Sequence, residues 1–80
     1  MDGKISEFDR QVAKAIDRLI AAEDCYKMMH SLPTSAHATR ASWQERAIQY
    51  NQDFKVFPAH IRREAVKRYN AAREWIRASN

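Results

Sequence analysis

The chain has 80 residues, a formal net charge of +4 and a single cysteine, Cys25. So short a chain makes one domain, residues 1–80, with a thin core. A lone cysteine rules out an internal disulfide, which fits a reducing cytoplasm. The only glycine is Gly3, so glycine-rich phosphate loops are excluded and tight hairpins disfavoured, and the class reads as all-α.

Pro33 and Pro58 punctuate the sequence into three helical segments. In the first, spanning about residues 6–30, Ile5, Phe8, Val12, Ala15, Leu19, Ala22, Tyr26 and Met29 follow an unbroken 3-4 spacing. Ile16 and Ile20 widen this stripe until it can face two neighbouring helices. Ser6 suits the N-cap, and Glu7 and Asp9 favour the positive end of the helix dipole. Glu23 and Lys27 stand at the i,i+4 spacing of an ion pair.

The second segment, about residues 36–52, aligns Ala36, Trp43, Ala47, Tyr50 and Phe54 on a narrow face. Its start is open between Ser35 and Ser42, the latter forming a capping-box pattern with Glu45. The third, about residues 59–78, begins behind Pro58 and turns Ile61, Ala65, Tyr69, Ala72 and Ile76 inward, with Trp75 at the edge of that face. Three helices with short connections predict a small antiparallel three-helix bundle. The length of the first helix leaves Tyr26 and Met29 for a second copy to cover, so a homodimer is also an expectation.

Catalytic and metal-binding patterns are missing from the sequence. Cys25, His30, His37 and His60 form no HExxH, CxxC or HxxxH pairing, so neither a metal nor another cofactor is expected. Cys25 lies late in its helix, where the dipole disfavours a reactive thiolate. The charged residues of the first helix alternate in sign, the pattern of a solvated surface. The chain therefore does not read as an enzyme. No apolar run approaches the ~20 residues of a membrane span, and no signal peptide is visible at the N-terminus, so no membrane partner is expected.

The charge is uneven. Residues 54–80 hold seven Lys and Arg against two Asp and Glu, whereas residues 1–32 are slightly acidic. On a helical wheel Arg62, Arg63, Lys67, Arg73 and Arg77 fall in one arc beside the apolar face of the third helix, with Glu74 inside it. Phe57 and Trp75 are the nearby aromatics that a core absorbs least easily. Arginine with exposed aromatics is the composition of protein interface hot spots.

Two functions follow from this face. The first is a non-catalytic adaptor or inhibitor that docks on a larger, nucleic-acid-handling protein assembly through Phe57, Arg62, Arg63, Lys67, Arg73, Trp75 and Arg77. The second is a DNA-binding regulator of helix-turn-helix type, with residues 59–78 as recognition helix. Against the second, the connection over 51–58 reads as long for such a turn and lacks glycine.

Overall fold

A computed structural model describes residues 5–79 of the chain, with side-chain environments over residues 5–76. Three helices follow one another: α1 (Glu7–Ser31), α2 (His37–Lys55) and α3 (Ala59–Ser79). No strand occurs among the described residues, and the fold is a small all-α three-helix bundle in which α1 packs against both other helices.

Each helix end has a local cause. The Ser6 side chain accepts a hydrogen bond from the Asp9 amide at 3.1 Å, with Glu7 and Asp9 in the first turn. At the far end the Leu32 amide bonds the Met29 carbonyl and the Ser31 hydroxyl bonds that of Met28. Helix α2 begins near Ser35, the earlier of the two starts weighed from sequence, and not at Ser42. Its N-cap is Ala36, which supplies no side-chain bond, and Pro33 and Ala36 close a turn ahead of it. Arg40 compensates from the first turn, donating to the Leu32 carbonyl at 2.8 Å and so tying α2 back to the end of α1.

The 51–58 connection contracts to residues 56–58, because α2 continues through Asn51–Lys55. Gln49 donates to Asp53 one turn ahead at 2.9 Å, supporting that extension. Pro58 sits just outside α3, where its carbonyl accepts the Arg62 amide at 3.0 Å.

Helices α1 and α2 form an antiparallel hairpin. Arg40 meets Leu32 at one end and Arg18 approaches Asp53 at the other, a register that places Ala47 opposite Cys25. These two and Ala22 are buried. Small side chains let the two backbones come close, while the half-buried Trp43 and Tyr50 flank the seam.

Helix α3 runs in the same direction as α1, from Phe8 beside His60 to Glu23 beside Arg73, and its backbone meets that of α1 less closely than α2 does. Val12 and Ala15 of α1 pack against Ile61 and Ala65 of α3, with Ile16, Leu19, Phe54 and Phe57 closing over them. Beyond the turn, the backbones of α2 and α3 hardly approach each other. The consequence is an elongated molecule. Its radius of gyration is 15.3 Å, against roughly 12 Å for a compact chain of this length.

The inward face expected of α3 is only half realised. Ile61 and Ala65 are buried and Tyr69 is half-buried, but Ala72 is exposed and Ile76 is 55% exposed. The crossing carries the later turns of α3 away from the hairpin.

Candidate functional site

The site is best built outward from the crossing. Asp9 and Glu23 lie on α1 on either side of Val12 and Ala15, and each receives a side chain from α3. Arg68 joins Asp9 at 3.0 Å and Glu64 at 2.7 Å. Its guanidinium lies 5.8 Å from the Phe8 ring, on which His60 also stacks at 6.1 Å. At the other end the Tyr69 hydroxyl donates to Glu23, and Arg73 pairs with the same carboxylate at 3.3 Å while lying over the Tyr69 ring.

These contacts shift the groups that make them. The Arg68 hydrogen bond, helped by Ser6, holds the Asp9 carboxyl below its ordinary range. The Tyr69 hydrogen bond does the same for Glu23, with Arg73 and Lys27 adding their charge. Lys27 therefore acts on Glu23 only at longer range, and the close cation is Arg73. Burial, followed by the bond to Glu23, raises the Tyr69 hydroxyl.

Of the seven residues singled out from sequence, the six with described side chains do not share one face. Phe57 packs on the core cluster, and its carbonyl accepts a 2.9 Å bond from Arg62 Nε. Arg73 is held by Glu23. Arg63 and Lys67 are exposed and make no hydrogen bond or ion pair among the described residues. Trp75 is 71% exposed, nine residues beyond Val66, which at 100° per residue puts it about 180° around α3 from that valine. The Arg77 side chain lies outside the described residues.

What the fold does assemble is a groove where α2 and α3 part. Phe54 of α2 and Arg62, Arg63, Val66 and Lys67 of α3 line an open cavity of about 530 Å³. Phe54 and the 40% exposed Val66 supply its apolar surface, and the three cations supply its rim. Neither apolar residue was singled out for binding from sequence. Phe54 read as part of the α2 packing face, and Val66 stands outside the inward stripe of α3. A valine lying within a basic arc was the one available signal.

A second cleft, of about 500 Å³, lies between α1 and the α2–α3 turn, lined by Gln11, Arg18, Asp53, Val56, Phe57 and Pro58. Its two charged groups face each other, Arg18 to Asp53 at 4.0 Å, so it offers a ligand little net charge. Among the described residues no group of His, Cys, Asp and Glu is placed to hold a metal ion, and no helix is long and apolar enough to cross a membrane. Cys25 is buried in the hairpin.

Comparison with protein-family models, with curated proteins and with solved structures finds no match to this chain.

Proposed function

We propose that this chain is a non-catalytic docking protein, an adaptor or inhibitor that binds an acidic surface of a larger protein through the groove between α2 and α3. The observation that carries this reading is the pairing of an apolar floor, Phe54 and Val66, with the exposed cations Arg63 and Lys67, which are unengaged among the described residues. A solubilising surface does not require an apolar floor beneath its charges. Interfaces do combine a desolvated apolar centre with a charged rim. A nucleic-acid-handling assembly is the proposed setting, on the basic charge of residues 54–80.

The DNA-binding reading gains one point from the fold: the α2–α3 turn is three residues, 56–58, within the range of helix-turn-helix connections. Other contacts weigh against it. His60 is stacked on Phe8 and Arg62 is tied to Phe57, so the start of α3 is engaged by its own protein. Titration of random-sequence duplex DNA at several salt concentrations separates the readings. A DNA regulator binds with a steep salt slope of roughly 0.9 per phosphate over several phosphates. The docking protein shows weak binding with a slope no larger than its two or three groove cations supply.

A further inference from the structure

Resting on the docking reading, we propose that the groove receives an amphipathic helix of the partner protein. That helix carries two carboxylates one turn apart beside its apolar stripe. Arg63 and Lys67 stand four residues apart on α3, about 6 Å along its axis. Acidic side chains at i and i+4 of a helix laid alongside repeat at the same interval. The floor between α2 and α3 is apolar, and a nucleic-acid backbone has no apolar stripe to place there. An amphipathic helix does, and helix-in-groove binding is a recurring use of such a floor.

Three further observations narrow the occupant. Arg62 and Arg73, the other described cations of the arc, are occupied by Phe57 and Glu23, so the surface offers two unengaged charges rather than the longer row that tracks phosphates. Glu74 lies in the same arc and repels an extended polyanion more than it repels a helix contacting only Arg63 and Lys67. The backbones of α2 and α3 separate beyond their turn, so the far end of the groove is open to a helix longer than the cavity.

The test is an NMR titration of the full, isotope-labelled chain. The probe is a capped alanine-based helical peptide with two leucines one turn apart and two glutamates one turn apart beside them. The expected result is shifts at the amides of Phe54, Arg63, Val66 and Lys67 that saturate at millimolar peptide. Replacing the glutamates by glutamine weakens binding about five-fold, the scale of losing two exposed ion pairs. The double variant Arg63→Glu, Lys67→Glu loses the acidic peptide by a similar factor and gains the lysine version of it. Shifts confined to the Trp75 and Ile76 side of α3 overturn the groove and leave a docking protein with a different face. No shift at any amide, or shifts indifferent to the charge swap, overturns the helix as occupant. Duplex DNA moving the same four amides with a steep salt slope overturns the docking reading as well.

Discussion

Helix α1 meets its two neighbours in different ways. Against α2 it forms a long seam whose buried residues, Ala22, Cys25 and Ala47, are small, so the backbones run side by side and the hairpin is continuous. Against α3 it makes a single crossing, Val12 and Ala15 on Ile61 and Ala65, held at its two ends by Arg68 on Asp9 and by Tyr69 and Arg73 on Glu23. The hairpin is a scaffold, and α3 is an arm attached to it at one place. An arm attached in this way leaves surface uncovered, which is where the groove arises.

The sharpest way to break this comparison is to weaken the crossing itself. Ile61 is 3% exposed and belongs to the buried cluster linking α3 to α1, so Ile61→Ala is expected to cost about 2–4 kcal/mol. The loss should be local. Hydrogen exchange should quicken along α3 while amides near Ala22 and Ala47 keep their protection. Equal loss of protection in both regions would mean that the three helices unfold as one unit.

Overpacking the seam gives the converse. Ala47 is fully buried opposite Cys25, and a leucine there must push the two helices apart. Ala47→Leu should cost about 1–3 kcal/mol, lower the denaturation midpoint and quicken exchange in α1 and α2 together. An unchanged midpoint would show that the seam has room to spare.

Acidity tests the two ends of the crossing. Asp9 and Glu23 have folded-state values below their ordinary ones. The stability they contribute is therefore present above their unfolded values and lost as pH falls through the folded ones. The denaturation midpoint should fall from about pH 5 to pH 3 as these carboxylates protonate. Tyr69 is shifted the other way, so its contribution holds below about pH 10 and fades as pH rises through its folded value. In Glu23→Gln both limbs should flatten. If the acid limb survives unchanged, Glu23 does not hold the arm.

The difference between scaffold and arm also marks how much could be read from the sequence. Period and punctuation gave away the three helices, the Ser6 cap, and Val12, Ala15, Ile61 and Ala65 as packing residues, because each depends on neighbours a few residues away. The start of α2 near Ser35 was legible but its cap was not, since Ala36 has no capping side chain and the compensation comes from Arg40 reaching the end of another helix. Nor was the departure of α3 from the hairpin. The spacing from Ile61 through Ala72 to Ile76 is unbroken, and a periodic stripe shows which side of a helix is apolar without showing where its partner ends. Phe54 and Val66 became a candidate surface only when the packing of α2 and α3 on α1, a long-range property, brought them together beside Arg62, Arg63 and Lys67.

The smallest expected effect concerns the rim. Arg63→Ala and Lys67→Ala remove cations that are exposed and make no hydrogen bond or ion pair among the described residues. Each should therefore change folding stability by no more than about 0.5 kcal/mol. Arg68→Ala is the control from the same helix: it also removes one exposed positive charge, but one that joins Asp9, Glu64 and the Phe8 ring. The Arg68 variant should lower the denaturation midpoint measurably, and the other two should leave it in place. If all three were neutral, the ion pairs of Arg68 would contribute nothing and the arm would rest on its apolar contact and on the Glu23 end of the crossing. If Arg63 or Lys67 proved as costly as Arg68, the rim would be part of the fold and no longer spare charge. A neutral result at those two positions, with a loss at Arg68, leaves the rim cations without a structural role while α3 depends on its polar ties.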